Sequence, residues 1–359
     1  MVLADMVNDV LTIAGTEINL GQRVIVDVPL PDLYMHTSLS MPVEIIRGRR
    51  KGPTLFVSAA VHGDEINGVE IIRRLVRNDK TLKDIKGTLI TIPVVNVYGF
   101  INQTRYLPDR RDLNRCFPGS DQGSLAGRLA NVFMTEVTSK CTHGIDLHTA
   151  AIHRDNLPQI RADLSNATVE QMAQAFRAPV IVNSNLIEGS LRHASMGVNV
   201  PVIVYEAGEA LRFNELAIRA GVKGVIGVMR CLGMLLPARA KTKKAIRQPF
   251  VARSSAWVRA PQSGIFRMIV PMGAHVNKND LLGMVAAPYG AENTEKPVLA
   301  TYSGVVIGRT NLPLVNEGEA LFHIARFNQP GEVADSVDAF HSDLDPATDT
   351  GVPDDLPII

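Results

Sequence analysis

The sequence predicts an α/β protein with a mixed sheet flanked by helices, followed by a smaller all-β domain. Three observations lead to this fold class. The chain has 359 residues, more than one hydrophobic core usually serves, so two domains are expected. From about residue 54 to residue 235, apolar strands alternate with amphipathic helices, which is typical of a layered α/β domain. Beyond residue 254, short strands separated by glycine-containing turns replace that alternation.

The strands of the first domain are short apolar segments, and its helices repeat apolar residues at helical spacing. TLFVSAAV is apolar and ends near a glycine-containing turn, so it predicts a buried strand. GVEIIRRLVRN predicts a helix with Ile71, Ile72, Leu75 and Val76 facing inward. The same patterns predict strands at GTLITIPVVN, HGIDLH, APVIVNS and VPVIVYEAG, and helices at LAGRLANVFMTEV, ATVEQMAQAFRA and FNELAIRAGVKGVIGVMRCLGML.

Composition changes along the chain predict the domain boundaries. Residues 1–240 form the first domain, of which residues 1–50 are a β-rich entry with alternating segments such as QRVIVDVPL. A basic stretch bounded by prolines predicts a linker over 241–253, followed by a β domain over 254–326. Residues 327–359 contain eight acidic residues and no Lys or Arg, which predicts a flexible acidic tail.

The second domain contains an internal pseudo-repeat. APQSGIF (260–266) is echoed by ATYSGVV (300–306), which predicts a barrel-sandwich module like those that carry biotin or lipoic acid. The hairpin between the halves lacks the Met-Lys-Met signature of biotinyl carriers, and Lys296 lies in the unrelated segment TEKPVL. We therefore expect a structural module without an attached cofactor.

Composition argues against several classes of function. A formal net charge of +1 and 5% aromatic residues do not favour a nucleic-acid partner. No apolar run approaches the roughly 20 residues that cross a bilayer, so no membrane partner is expected. Asp5 and Asp9 stand where a signal peptide would be basic or apolar, which predicts a cytoplasmic location. Cys116, Cys141 and Cys231 are odd in number and widely spaced, which supports neither disulfides nor a cysteine metal cluster.

The segment VHGDE at the end of a predicted buried strand carries the strongest chemical signal. His62 and Glu65 stand at a strand-to-helix junction, and His148 ends another short apolar strand 83 residues after Glu65. Strand ends that point the same way deliver side chains to one crevice of an α/β sheet. Two histidines and one glutamate are the ligand set of a catalytic zinc site that leaves a fourth position for water. Asp146 lies two residues before His148 and could orient its imidazole.

Two further segments supply charged groups. TRYLPDRRDLNRCFPG (104–119) contains four arginines in a loop, and the planar guanidinium group suits the anchoring of a carboxylate. Glu206 follows five apolar or aromatic residues at the end of VPVIVYEAG. A carboxylate there is costly to bury without a role, and acid–base catalysis is one such role. Glu209, past Gly208, is the alternative.

HGDE, DLNRCFPG, DLH and the Glu-x-Gly after a buried strand together resemble the succinylglutamate desuccinylase/aspartoacylase family, relatives of the zinc carboxypeptidases. The resemblance covers roughly residues 40–325, with the motifs in the family's order. It implies a zinc-carboxypeptidase-like fold, one Zn²⁺ held by His62, Glu65 and His148, and Glu206 as the catalytic base.

The resemblance also implies roles for the arginine loop. Asn114 and Arg115 would hold the carboxylate of the substrate, and Arg105 would polarise the scissile carbonyl. The spacing from Arg105 to the DLNR motif is longer than in aspartoacylase, so Arg110 and Arg111 remain alternatives.

The predicted function is a zinc-dependent deacylase that hydrolyses the amide bond of a small N-acyl amino acid, in a chain that could form a homo-oligomer. A metallocarboxypeptidase acting on short peptides is the nearest alternative. A catalytically silent metal-binding protein is a further one. His153 and Arg154 follow the His148 strand closely enough to line the same cleft.

Overall fold

The computed structural model of the chain describes residues 10–237, 248–289 and 295–344. It confirms the predicted fold class, because a large mixed sheet flanked by helices is followed by an antiparallel β region. The strands are, in chain order, β1 (Leu11–Ile13), β2 (Thr16–Ile18), β3 (Arg23–Pro29), β4 (Ser40–Arg47), β5 (Arg50–Ala59), β6 (Lys86–Ile92), β7 (His143–Ala150), β8 (Arg154–Ala162), β9 (Val180–Asn183), β10 (Val202–Glu209), β11 (Phe250–Ala252), β12 (Ser254–Arg259), β13 (Gly264–Met268), β14 (His275–Val276), β15 (Leu281–Ala286), β16 (Lys296–Leu299), β17 (Gly304–Thr310), β18 (Leu314–Val315) and β19 (Ala320–Arg326).

The helices lie mostly between strands of the first domain. They are α1 (Asn67–Val76), α2 (Asp79–Leu82), α3 (Val97–Ile101), α4 (Leu125–Glu136), α5 (Ala167–Phe176), α6 (Leu191–Gly197), α7 (Glu215–Cys231) and α8 (Pro330–Leu344), with 3-10 turns at Leu113–Arg115 and Thr138–Lys140. Within the ranges that the structure describes, none of these helices has the length and apolar character to cross a bilayer.

Three parallel strands form the centre of the sheet. β7 lies between β5 and β10, with Val57 opposite Ile145 and Ile145 opposite Ile203. These three residues face the core that α1, α5 and α7 cover. Because successive side chains of a strand alternate between faces, Asp146 and His148 point to the other face. The carboxyl ends of β5, β7 and β10 therefore meet at one edge of the sheet.

The second face of the central strands packs against α4 and the N-terminal strands. Phe56 of β5 contacts Phe133 of α4 edge-to-face at 5.7 Å, and both rings are fully buried. Apolar residues of β3 and β4, such as Val26 and Val43, belong to the same core. The β-rich entry is thus part of the main sheet, in which β4 pairs with β6.

The C-terminal strands continue the main sheet. β17 pairs with β8, β19 pairs with β17, and β12 pairs with β19, all antiparallel. The sequence predicts a linker over 241–253, but Phe250–Ala252 forms β11, which pairs with β9 of the first domain. Phe250 and Ala252 pack into an apolar cluster there, which a basic linker pattern did not reveal. Residues 241–247 lie outside the described ranges.

The predicted tail differs from the structure over residues 330–344, which form α8. Val333 and Val337 are fully buried, and the helix packs against α7, β14 and β17. Their spacing of four residues places them on one helical face, while the acidic residues dominate the composition. Residues 345–359 of the predicted tail lie outside the described ranges.

Candidate metal centre and active site

His62 and Glu65 lie in the tight connection between β5 and α1. Both side chains are buried, at 4% and 2% exposure. Gly63 between them packs against α3 so closely that a Cβ would lie 2.1 Å from the carbonyl carbon of Gly99. Only glycine fits this contact, so the HGDE turn requires glycine at position 63 in addition to the candidate ligands His62 and Glu65.

His62, Glu65 and His148 converge, as the sequence predicts. Their candidate ligand atoms lie within 4.8 Å of one another. Nδ1 of His62 is 2.7 Å from Oε1 of Glu65, and Nδ1 of His148 is 2.7 Å from Oε2. Both imidazoles therefore present the same ring nitrogen to one shared carboxylate. Such a set of nitrogen and oxygen donors suits Zn²⁺.

The other ring nitrogen of each histidine contacts an aspartate. Nε2 of His148 is 2.7 Å from Oδ2 of Asp146, whose Oδ1 accepts a hydrogen bond from Ser58 Oγ at 2.8 Å. Nε2 of His62 is 3.1 Å from Oδ1 of Asp112. A carboxylate on this nitrogen fixes the ring orientation and leaves Nδ1 for a metal. The structure thus places Asp146 where we expected it and adds Asp112.

Charge compensation dominates this cluster. Burial alone would raise the pKa of the Glu65 carboxyl, but His62 and His148 outweigh it and hold that pKa far below its usual range. Burial works against a charged His148 too, yet Asp146 and Glu65 raise its pKa well above the ordinary value. The protons on the two imidazoles thus balance the Glu65 carboxylate. Because a histidine must lose its proton to bind a metal, a divalent cation would replace these protons as the partner of Glu65.

Glu206 stands beside His148 on the neighbouring strand. The two residues are register partners in the parallel β7–β10 pair, so their side chains leave the same face of the sheet. Oε2 of Glu206 accepts a hydrogen bond from Asn156 Nδ2 at 3.0 Å and lies 2.9 Å from Nε of Arg161. Its side chain is 19% exposed, so it is open to the cavity in front of the histidines.

That cavity, of about 450 Å³, brings the predicted site residues together. It is lined by His62, Glu65, Arg105, Asn114, Arg115, Asp146, His148, Thr149, Ala150, Ala151, Arg154, Asn156, Arg161, Ile187, Ser190, Arg192, Val204, Glu206 and Trp257.

Arg105 and Asn114 are held in defined positions on the cavity wall. Nη1 of Arg105 donates to Glu65 Oε1 at 3.3 Å, and its Nη2 donates to Asp112 Oδ2 at 2.8 Å. Oδ1 of Asn114 accepts a hydrogen bond from the backbone N–H of Leu191 at 2.9 Å. Among the described residues, none accepts a hydrogen bond from Asn114 Nδ2, so its donors are available to a ligand.

The alternative residues lie elsewhere. Arg111 contacts Asp109 at 3.9 Å with its side chain 60% exposed, and neither it nor Arg110 belongs to the described cavity lining. Glu209 accepts hydrogen bonds from the His153 backbone and from Asn311 Nδ2, outside the cavity. These positions favour Arg105 and Glu206 for the predicted roles.

Sequence reasoning missed several residues of the cavity and one aspartate that contacts His62 and Arg105 from outside the cavity lining. Asp112 opens the DLNR motif and carried a usable signal, because it resembles Asp146 in being an acidic residue near a motif. Asn156 and Arg161 contact Glu206 only because β8 pairs with β10, which no local pattern indicates. Arg192 and Trp257 are likewise brought in from distant segments. Arg154 lines the cavity, as the sequence suggested, but His153 is absent from the described lining.

Comparison with known proteins gives a consistent result. The family model of the succinylglutamate desuccinylase/aspartoacylase catalytic domain matches residues 51–232, half of the chain. An N-alpha-acetyl-L-2,4-diaminobutyric acid deacetylase from Halomonas elongata is 27% identical over 151 residues, covering 40% of this chain and 44% of that protein. The match thus spans less than half the length of that relative.

Two solved structures share the fold. A succinylglutamate desuccinylase/aspartoacylase from Rhodobacter sphaeroides superposes with a TM-score of 0.75 at 24% identity, covering 85% of this chain and 95% of that chain. The product-bound ectoine utilization protein EutE (DoeB) from Ruegeria pomeroyi also gives a TM-score of 0.75 at 24% identity, covering 86% and 97%. Both likenesses cover a larger share of the chain than the family model does.

Proposed function

The chain belongs to the succinylglutamate desuccinylase/aspartoacylase family, and we propose that it is a zinc-dependent deacylase of small N-acyl amino acids. The observation that carries this proposal is the placement of Glu206 beside His148, within one cavity that also contains His62 and Glu65. A metal-ligand set with a neighbouring carboxylate is the arrangement that hydrolysis by activated water requires.

The proposed metal ligands are His62, Glu65 and His148. Their burial, their mutual proximity and the aspartates on both Nε2 atoms support a preorganised site. Bound Zn²⁺ supplies a Lewis acid that polarises a carbonyl oxygen and makes water a stronger nucleophile at neutral pH.

Other residues of the cavity bind the substrate and stabilise the charge that develops on its carbonyl oxygen. Asn114 and Arg115 bind the carboxylate of the amino acid, since both line the cavity and carry donors. Arg105 donates a hydrogen bond to the scissile carbonyl oxygen as negative charge develops there. A well-aimed donor of this kind is typically worth about 3–4 kcal/mol.

Glu206 is the proposed general base and acid. It takes a proton from the attacking water, whose oxygen bonds to the carbonyl carbon. It then gives that proton to the nitrogen as the carbon–nitrogen bond breaks, so that a carboxylic acid and an amine are released. Asn156 and Arg161 hold the carboxylate of Glu206 toward the cavity before substrate arrives.

Replacement of the base tests this assignment. Glu206→Gln should lower kcat by about 10²–10⁴-fold, because general acid–base catalysis contributes that much, while zinc content stays at one per chain. Glu209→Gln is the matched control, since Glu209 lies three residues along the chain and outside the cavity lining. Turnover close to wild type in zinc-loaded Glu206→Gln would discard Glu206 as the base.

The substrate class is tested by a panel of acetyl- and succinyl-amino acids assayed beside short peptides. We expect hydrolysis of the acyl amino acids. A family of deacylases does not favour the metallocarboxypeptidase alternative, and preferential cleavage of peptides would restore it. Zinc retention without hydrolysis of either class would favour a silent metal-binding protein.

A further inference from the structure

Asn67 begins α1 two residues after the candidate metal ligand Glu65. Its side chain is buried, at 1% exposure, and does not belong to the described lining of the cavity. The amide group makes hydrogen bonds to two segments that lie 140 and 147 positions further along the chain. Because a buried amide needs hydrogen-bond partners, these bonds show which parts of the molecule Asn67 joins.

The first bond joins Asn67 to the strand of the proposed base. Nδ2 of Asn67 donates to the backbone carbonyl oxygen of Ala207 at 3.2 Å, and Ala207 directly follows Glu206 in β10. The register of β10 shifts after Glu206, before Glu209 in its pairing with β7 and before Gly208 in its pairing with β8. Such a shift interrupts the ladder of backbone hydrogen bonds. Asn67 therefore fixes the backbone where sheet pairing is disrupted.

Gly208 permits this close approach. Its φ of +78° lies in the left-handed region, and a Cβ there would lie 2.5 Å from Nδ2 of Asn67. A side chain at this position would push the amide of Asn67 away from Ala207, so the position requires glycine. The Glu-x-Gly pattern after the buried strand thus allows Asn67 to reach the backbone beside Glu206.

The second bond joins Asn67 to the start of α7. Oδ1 of Asn67 accepts a hydrogen bond from the backbone N–H of Asn214 at 3.1 Å. The side chain of Asn214 caps α7 by accepting from the backbone N–H of Ala217 at 3.0 Å. Between these points, the backbone N–H of Leu211 donates to the carbonyl oxygen of Asp64 at 2.8 Å. The chain that leaves β10 is therefore bonded at three points to the HGDE turn and the first residue of α1.

The N-terminal end of α1 is itself packed tightly against the sheet. A Cβ at Gly68 would lie 2.7 Å from Cβ of Ala59 at the end of β5, and 2.8 Å from Cβ of Leu147, the residue before His148. The helix and the two strands are thus in direct contact, and a close-packed interior leaves little room for either to shift. Asn67 therefore reaches β10 from a part of the molecule that also fixes the candidate metal ligands.

We propose that Asn67 is a positioning residue, which holds Glu206 at a fixed place relative to the candidate metal ligands through its hydrogen bond to Ala207. The inference rests on the proposed function, because it takes Glu206 as the base. Proton transfer from water requires the base within hydrogen-bond reach, at about 2.6–3.2 Å. Asn156 and Arg161 hold the carboxylate of Glu206, and Asn67 holds the backbone that carries it.

Kinetics of zinc-loaded variants on acetyl- and succinyl-amino acids test this role. Asn67→Ala should lower kcat about 10–100-fold, since a displacement of about 1 Å at a reacting group can cost about 10²-fold. KM and zinc content should stay close to wild type, because Asn67 lies outside the cavity lining. Asn214→Ala is the matched control, since it removes the cap of α7 and lowers stability but keeps the bond to Ala207. Its kcat should stay close to wild type.

A double variant separates positioning from a general loss of structure. Glu206→Gln removes the group that Asn67 is proposed to place, so adding Asn67→Ala to it should lower kcat by less than about twofold. If the two losses multiply instead, or if Asn214→Ala lowers kcat as much as Asn67→Ala, then Asn67 acts through general structure and the inference is overturned. A kcat close to wild type in Asn67→Ala would overturn it as well.

Hydrogen–deuterium exchange provides a readout that does not require hydrolysis. Backbone amides of residues 207–211 should exchange about tenfold faster in Asn67→Ala than in the wild type or in Asn214→Ala, because loss of the bond to Ala207 favours local opening. If no N-acyl amino acid is hydrolysed but this difference is seen, Asn67 still holds the backbone of β10 and the deacylase function fails. If acyl amino acids are hydrolysed and Asn67→Ala changes neither kcat nor exchange, the function stands and the positioning role fails.

Discussion

The cavity has two ends. The metal end contains His62, Glu65 and His148, the C-terminal end contains Trp257, and the two are built in different ways. His62 and Glu65 are three residues apart in one turn, and Asp146 and His148 are two apart on one strand. Trp257, His323 and Asn156 come together only through the pairing of β12, β19, β17 and β8. The metal end thus joins two short segments through the pairing of β5 with β7, whereas the C-terminal end is assembled from single residues of four strands.

The two ends also differ in charge. At the metal end, buried carboxylates and imidazoles compensate one another within 2.7–3.1 Å. At the other end, the guanidinium of Arg154 lies over the Trp257 ring and close enough to Glu319 to interact with its charge, and the ring of His323 is neutral at neutral pH. The first arrangement suits a bound cation, and the second places the positive charge of Arg154 on the cavity wall.

The largest effect that separates the two ends should come from Asp112. Asp112→Asn keeps the shape of the side chain but removes the charge that faces His62 Nε2 and Arg105. We expect zinc affinity to fall about 10–100-fold, because carboxylates behind metal-bound histidines contribute that much. Competition with a chromophoric chelator measures it. Asp121→Asn, an exposed position in a nearby loop, should bind zinc like the wild type; equal affinity in both variants would contradict the role of Asp112.

A smaller effect should follow from adding a methyl group at Gly308, which lies opposite Asn156 on one neighbouring strand and His323 on the other. A Cβ at Gly308 would lie 2.8 Å from Oδ1 of Asn156 and 3.3 Å from Cβ of His323, so the Asn156 side chain must move and its hydrogen bond to Glu206 is disturbed. Gly308→Ala should therefore lower kcat/KM about tenfold, or about 1.4 kcal/mol, with zinc content unchanged. Gly331→Ala is the matched control because a Cβ there meets nothing within 4 Å. Unchanged kcat/KM in Gly308→Ala would mean that the contact between Gly308 and Asn156 does not affect the position of Glu206.

The smallest effect concerns stability at the C-terminal end. The folded-state pKa of His323 is lowered to about 4 by burial and Arg161, so the unfolded chain binds the extra proton first as pH falls. The free energy of unfolding that the neutral ring supports is present above about pH 6.5 and is lost toward pH 4.

Urea unfolding at pH 7 and pH 5 measures this contribution. The wild type should lose about 1–2 kcal/mol more than His323→Phe over that interval, since phenylalanine keeps a ring beside Trp257 but cannot take a proton. Identical losses in the two proteins would show that His323 is not buried as a neutral ring.

The strand and helix patterns determined most of the first domain. β5, β7 and β10 are apolar runs that are buried on both faces, and such runs are visible without any knowledge of their partners. α8 was not predicted because its acidic residues outnumber the two buried valines that pack it against the protein. β11 was not predicted because a strand of three residues has too short a pattern to recognise, and only its pairing with β9 defines it.

The sequence by itself predicted the candidate ligands His62, Glu65 and His148, which the structure brings together, and the candidate base Glu206, because these residue types stand at the ends of recognisable buried strands. Only the tertiary structure decided that Arg105 rather than Arg110 or Arg111 reaches Glu65, and that Asp112 contacts His62. The physical reason is the difference between local and long-range interactions along the chain. Strand ends and turns are set by neighbours along the chain, whereas Asn156, Arg161 and Trp257 reach the cavity through sheet pairing between segments that local pattern leaves unrelated.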